Sequence, residues 1–166
     1  MRSLRAAIAS PRCTVAAAAR TVATIAPPAR ISFIGMGVMG AAMAANIMKA
    51  GFALTVGSRS KAKAEPLLAA GAEWAPTAQD AADGAACVCL CVPDTPDVEA
   101  VLFGETGVAS GLSAGKTVVD MSSISPIDTK CFAARINELG CDYLDAPVSG
   151  GEVGAKAASL TIMVGG

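Results

Sequence analysis

Residues 30–46 read RISFIGMGVMGAAMAAN, an apolar run that passes directly into a glycine-rich turn and then into residues with helical spacing. Ile31, Phe33 and Ile34 have the composition of a short buried strand. Met39, Met43, Ile47 and Ala50 recur at intervals of three or four, and Gly51 stands where the end of a helix favours a left-handed residue. Gly35, Gly37 and Gly40 fall in the order G-x-G-x-x-G. The first permits a tight turn off the strand, the second lets backbone approach a diphosphate with no side chain in the way, and the third lets the helix pack close to the sheet. The free N–H groups of the first helical turn and the positive end of the helix dipole then face the anion. Position between a strand and a helix, more than the three letters themselves, makes this a dinucleotide loop. Gly35, Met36, Gly37, Val38, Met39 and Gly40 are the residues expected around the pyrophosphate.

The choice of dinucleotide is decided near the end of the second strand, where an NAD site places an Asp or Glu to accept hydrogen bonds from the ribose hydroxyls. The strand at residues 53–56 ends instead in Gly57-Ser58-Arg59-Ser60, followed by Lys61 and Lys63, and the first acidic residue of the chain is Glu65. A guanidinium beside a hydroxyl suits a 2′-phosphate, which arginine grips through a planar fork of donors. Ser58 and Arg59 are therefore the expected contacts, and NADP is favoured over NAD. The plainer alternative is that Arg59, Lys61 and Lys63 form the solvated face of the next helix.

Residues 1–29 carry Arg2, Arg5, Arg12 and Arg20, several Ser and Thr and a run of Ala, contain no Asp or Glu, and end in Pro27-Pro28. That composition predicts an organelle transit peptide, with the arginine content favouring the mitochondrion over the plastid; an arm with no import role is the alternative. Arg12 and Arg20 interrupt every apolar core a secretory signal would need, and no run approaches the roughly 18 apolar residues of a membrane span. The fold is accordingly expected to occupy residues 30–166 as one domain. From residue 31 onward eight Lys and Arg stand against fourteen Asp and Glu, a net charge of about −6. Such a balance offers nucleic acid no footprint, although one basic corner at residues 59–63 can hold a phosphate. With no histidine and no C-x-x-C, neither a metal site nor a disulfide framework is expected. Cys87, Cys89 and Cys91 alternate along AACVCLCVP as small buried hydrophobes of one strand face.

Apolar strand-like runs at residues 85–92, 117–121, 141–144 and 159–164 alternate with helical patterns at 61–70, 95–103 and 125–139, and residues 104–115 read as a long glycine-rich loop. The last helix is the best marked, with Ser125 as N-cap, Pro126 in the first turn, Asp128 three residues after the cap and Gly140 at the end. This alternation predicts an α/β fold with a doubly wound, mostly parallel sheet, Rossmann-like in its layout. Ligands of such a sheet gather outside the carboxyl ends of the strands. That rule singles out Ser58-Arg59, Val92-Pro93, Ser122-Ser123 and the segment Pro147 to Gly151 besides the glycine loop. Consecutive Ser149, Gly150 and Gly151 would offer backbone N–H groups to an anion, and Ser122 and Ser123 would add hydroxyls. Read from the residues alone, they are equally compatible with an ordinary turn and a helix cap.

Four segments, GMGVMGAAMAANIMKAG at 35–51, VVDMSSISP at 118–126, LDAPVSGGEVGA at 144–155 and SLTIMVGG at 159–166, resemble in content and order the beta-hydroxyacid dehydrogenase family. The resemblance covers essentially all of residues 31–166. It implies that Gly35 to Gly40 hold the pyrophosphate, that Val92 and Pro93 line the cofactor, that Ser123 lies by the nicotinamide, and that Ser122, Ser149, Gly150 and Gly151 hold a substrate carboxylate. The activity implied is reversible hydride transfer between the nicotinamide and the carbonyl of a small 3-oxo acid, with a lysine as general acid. In that family the lysine sits in a G-x-x-x-K type segment of a helix that follows the nucleotide-binding domain and leads into an all-helical second domain, through which homo-oligomers form. This sequence stops at Gly166 before any such segment, as a truncated product or partial gene would. Lys130 and Lys156 do not match the family position, so no catalytic residue is assigned, and the chain is expected to bind cofactor without enzymatic turnover. A nucleotide-binding module that reduces nothing is the reading from another class.

Overall fold

The computed structural model describes residues 24–166, so most of the leader expected at residues 1–29 lies outside the described residues. The chain runs β1 (Arg30–Ile34), α1 (Val38–Lys49), β2 (Ala53–Gly57), a 3₁₀ turn (Lys61–Ala64), α2 (Glu65–Ala69), β3 (Glu73–Trp74), α3 (Ala78–Ala82), β4 (Cys87–Leu90) and α4 (Thr95–Phe103). It continues through α5 (Val108–Gly111), β5 (Thr117–Asp120), α6 (Pro126–Glu138), β6 (Asp142–Asp145), β7 (Val148–Ser149), α7 (Gly151–Ala157) and β8 (Thr161–Ile162). Six strands form one sheet in the order β3-β2-β1-β4-β5-β6, with every neighbouring pair parallel. β1 is thus central, with Ile31 level with Leu54 on one side and Cys87 on the other. This is the doubly wound layout expected from the alternation of strands and helices, and its strands read as nearly continuous apolar runs because helices cover both faces.

The alternation of side chains across the strands divides the core in two. Ile31, Phe33, Leu54, Val56, Cys87 and Cys89 face Met43 and Ala44 of α1, Leu67 of α2 and Ala155 of α7. Ile34, Val88, Leu90, Val118 and Tyr143 face Ala81, Ala82, Val98, Leu102, Phe132 and Ile136 on α3, α4 and α6. Cys87 and Cys89 therefore serve as small apolar side chains on the α1 side. The helix signals act where the sequence places them. Ser125 Oγ accepts from the Asp128 N–H at 3.4 Å, and Gly140 and Gly51 follow their helices with φ of +76° and +91°.

Some elements differ from the sequence-based expectation. β3, α3, α5 and α7 are additional; they have two, five, four and seven residues, too short for periodicity to reveal. The apolar run at 159–164 does not join the parallel sheet. Within it, Thr161 and Ile162 pair antiparallel with β7 as a separate two-stranded sheet, and Ile162, Met163 and Val164 are exposed. At the other end, Ile25 packs on the α1-side core and Pro27 lies 3.6 Å from where a side chain on Gly51 would begin, so residues 24–29 touch the fold.

The loop after β1 depends on Gly40 for a reason internal to the fold. A Cβ on Gly40 would overlap the Gly35 carbonyl oxygen and stand 3.1 Å from Phe33 Cε1, whereas a Cβ on Gly37 would have nothing within 4 Å. Gly40→Ala should therefore lower unfolding free energy by about 2–3 kcal/mol, as overpacking against immobile backbone does, while Gly37→Ala should change it by less than about 0.5 kcal/mol. Urea denaturation of the two variants checks this; equal losses would contradict the geometry.

Candidate dinucleotide site

A cleft of about 750 Å³ opens at the carboxyl ends of β1, β2, β3 and β4, where the strand order reverses about β1. Its floor is the turn from β1 to α1. Gly35 holds φ at +104°, and its N–H donates to the Gly57 carbonyl at 2.9 Å. Where its Cβ would lie stands the Cys91 carbonyl oxygen, so this turn is wedged between the ends of β2 and β4. Met36 is 2% exposed and points into the core, leaving only its backbone to face the cleft. Beyond it Gly37 is exposed with open space above its Cα, and α1 begins with no side-chain cap and no acidic residue in its first turn. The N–H groups of that turn are thus left for an anion, and Val38, Met39 and Gly40 complete this wall of the cleft.

Ser58 and Arg59 form the wall at the end of β2. The Arg59 side chain is 85% exposed, and its Nη1 lies 3.4 Å from Oδ1 of Asp97 in the first turn of α4. Asp97 is the feature that inspection of the sequence missed: no acidic residue follows β2 directly, but one reaches the cleft from another helix. Lys63 also lines the cleft, whereas the Lys61 ammonium sits 5.8 Å from the centre of the Trp74 ring. Thr77 and residues 104–107 add a wall that was not among the sequence candidates: Thr77 follows the two-residue β3, which carries no recognisable strand signal, and residues 104–107 follow a helix and not a strand.

Val92 and Pro93 form the wall on the β4 side, and a second cavity of about 580 Å³ adjoins the ends of β5 and β6. This cavity is lined by Asp120, Ser122, Ser123, Thr129, Lys130, Asp145 and Pro147 among others. Ser123 is exposed there; Ser122 is 5% exposed, and its Oγ accepts the Val92 N–H at 3.0 Å. Asp120 is 1% exposed; its Oδ1 accepts the Ser122 N–H at 2.9 Å and its Oδ2 accepts the Tyr143 hydroxyl at 2.8 Å. Burial pushes the Asp120 carboxyl above the usual carboxylate range, and the charge of Asp145 adds to this, while hydrogen bonds from Ser122 and Tyr143 act in the opposite sense. Burial likewise raises the Tyr143 hydroxyl, as do the charges of Asp120 and Asp145.

Of the remaining sequence candidates, Ser149, Gly150 and Gly151 do not line either cavity but follow closely on Pro147, which lines the second. Ser149 is paired with Thr161 in the β7–β8 sheet, and Gly150 and Gly151 open α7. Gly150 has φ of +132°, and Leu160 Cδ2 stands 3.1 Å from where its Cβ would be, so backbone geometry and Leu160 explain this glycine; Gly151, with φ of +60°, faces open space. Asn46 Nδ2 donates to the Ala155 carbonyl at 2.7 Å and so docks α7 on α1. Lys156 is held by Glu152 at 2.6 Å, while Lys130 lines the same cavity as Ser122 and Ser123. No group of three or more His, Cys, Asp or Glu able to hold a metal occurs among the described residues, and no described helix is long and apolar enough to cross a membrane.

The chain is similar to known proteins over the same residues. The chain is 53% identical over 137 residues to 2-hydroxy-3-oxopropionate reductase of Escherichia coli, covering 82% of this chain and 47% of that protein. It is 42% identical over 137 residues to an NAD-dependent L-serine dehydrogenase of Pseudomonas aeruginosa, covering 82% and 46%. Among solved structures, Psf3 in complex with NADP+ and 2-OPP superposes with a TM-score of 0.77 at 32% identity, over 81% of this chain and 48% of that one. The chain spans about half the length of the curated relatives it matches. Residues 30–166 match the family described as the NAD binding domain of 6-phosphogluconate dehydrogenase, and to that family the chain belongs.

Proposed function

We propose that this chain forms the cofactor site of an NADP-dependent oxidoreductase acting on a small 3-oxo or 3-hydroxy acid, with tartronate semialdehyde (2-hydroxy-3-oxopropionate) the leading candidate. One observation carries the reading: the uncapped start of α1 above the open Gly37 faces the same cleft as the Arg59 guanidinium, which pairs a diphosphate site with a donor for a 2′-phosphate. When bound, the nicotinamide supplies or accepts the hydride. Gly35 to Gly40 would hold the pyrophosphate, Ser58 and Arg59 the 2′-phosphate, and Val92, Pro93 and Ser123 the nicotinamide half. Ser122, Ser149, Gly150 and Gly151 would hold the substrate carboxylate. 3-Hydroxyisobutyrate and glyoxylate or succinic semialdehyde are the alternative substrate types.

NAD as the cofactor is a second reading, and Asp97 favours it. Its carboxylate sits 3.4 Å from the Arg59 guanidinium, the position where a 2′-phosphate would have to compete. Titration with both reduced cofactors separates the readings. Arg59→Ala should weaken NADPH binding by about tenfold to a hundredfold and leave NADH nearly unchanged, since only the former loses charge-assisted hydrogen bonds. Asp97→Asn should tighten NADPH severalfold by freeing the guanidinium and removing a like charge. A parent chain that binds NADH as tightly as NADPH would refute the NADP assignment.

The substrate reading is checked by joining residues 1–166 to the remaining half of the Escherichia coli relative and following NADPH oxidation. Tartronate semialdehyde should be reduced faster than methylmalonate semialdehyde, glyoxylate or succinic semialdehyde. If the chimera binds NADPH but turns over none of the four, the 3-oxo acid reading is wrong.

The leader is assigned to import into the mitochondrion on its arginine content and its lack of acidic residues, with the plastid second. Residues 1–29 fused to a fluorescent protein should direct it to mitochondria; a diffuse cytosolic signal would remove the assignment.

A further inference from the structure

We propose that Asp120, braced by Tyr143, is a positioning residue for the nicotinamide half of the cofactor cleft. It would act through Ser122 on the Val92-Pro93 wall without touching the cofactor. The inference rests on the cofactor reading above. With the pyrophosphate at the loop after β1 and the adenosine half over the end of β2, the other half of a dinucleotide must extend toward the ends of β4 and β5. The wall it meets there is Val92-Pro93.

Val92 packs against the core on one side, but the wall has a single backbone donor to fix its register. The β4–β5 ladder ends where Met121 N–H donates to the Leu90 carbonyl at 2.8 Å. Pro93 has no N–H, so Val92 supplies the one backbone donor of the pair, and Ser122 Oγ accepts it at 3.0 Å. Ser122 is fixed in turn by its own N–H on Asp120 Oδ1 at 2.9 Å, and Asp120 Oδ2 is fixed by the Tyr143 hydroxyl at 2.8 Å. The result is one continuous strut from β6 through the end of β5 to the wall. Three residues further along both connections, the Ser125 N–H donates to Thr95 Oγ1 at 3.1 Å, which anchors the start of α4 separately. Failure of the strut should therefore loosen Val92 and Pro93 while α4 stays in place.

The chemistry of Asp120 favours positioning over plain stability. A carboxylate 1% exposed at the end of an aliphatic strand is costly to bury, and an apolar residue of similar size would serve the core at least as well. What an apolar residue cannot do is accept two hydrogen bonds from opposite sides and so fix a turn relative to a neighbouring strand.

The full 166-residue chain tests the idea through two ligands, NADPH and 2′-phospho-ADP-ribose, which lacks the nicotinamide. In Asp120→Ala, 2′-phospho-ADP-ribose should bind within about twofold of the parent, NADPH should bind about tenfold more weakly, as loss of one or two hydrogen bonds implies, and the fluorescence enhancement of bound NADPH should be lost. Asp120→Asn retains an acceptor toward Ser122 and offers a donor to Tyr143, and should restore both NADPH signals to within about threefold. Tyr143→Phe leaves the carboxylate in place and should fall between the two; it decides the matter if Asp120→Ala does not fold. Equal weakening of both ligands would make Asp120 merely structural, and unchanged NADPH fluorescence and affinity would also overturn the proposal. So would a parent chain that binds 2′-phospho-ADP-ribose but shows no nicotinamide signal. Binding of neither ligand by the parent would instead overturn the cofactor reading and take this inference with it.

Discussion

Three stretches of backbone meet at Gly35. Its N–H is bonded to the Gly57 carbonyl at the end of β2, its own carbonyl lies against the Cα of Gly40 in α1, and the Cys91 carbonyl beyond β4 fills the place of its missing side chain. No side chain takes part, so this junction cannot be relieved by a change of rotamer. Because the junction fixes β1, β2 and β4 relative to α1, it sets both the angle at which α1 leaves the sheet and the width of the cleft above Gly37. The cleft is in this sense a by-product of close backbone packing.

Local chemistry made much of this legible in the sequence. The glycine loop, the Ser125–Pro126 start of α6 and the glycines after α1 and α6 each act within a few residues of themselves, so their effect is written where they stand. What stayed hidden depends on contacts across long distances in sequence. The site of α7 is set by Asn46, 109 residues before its partner Ala155. The apolar run ending at Val164 has the composition of a buried strand, yet part of it pairs with β7 outside the main sheet. The same holds for the site. Gly35 to Gly40 could be named from their order alone, whereas Asp97 and the pairing of Ser122 with Val92 arise from connections that only the folded sheet brings together.

The electrostatic character of the cleft follows from that distinction. A domain with a net charge of about −5 over residues 30–166 repels anions at long range, yet the end of β2 collects Arg59 and Lys63 beside the unneutralised start of α1. Attraction of a phosphorylated ligand is thus confined to one corner. There Asp97 tempers it by occupying one side of the guanidinium.

The strand order has a further consequence, for the making of the chain. β1 lies at the middle of the sheet but is synthesised first, and its two neighbours arrive at different times. β2 follows after the single helix α1, whereas β4 is completed roughly thirty residues later, an interval on the order of seconds at ordinary ribosomal rates. Through that interval the edge that will meet Cys87–Leu90 presents unpaired N–H and carbonyl groups on one of the most apolar strands of the domain. The period of greatest risk of mispairing on the ribosome is therefore set by the sequence distance between Gly57 and Cys87.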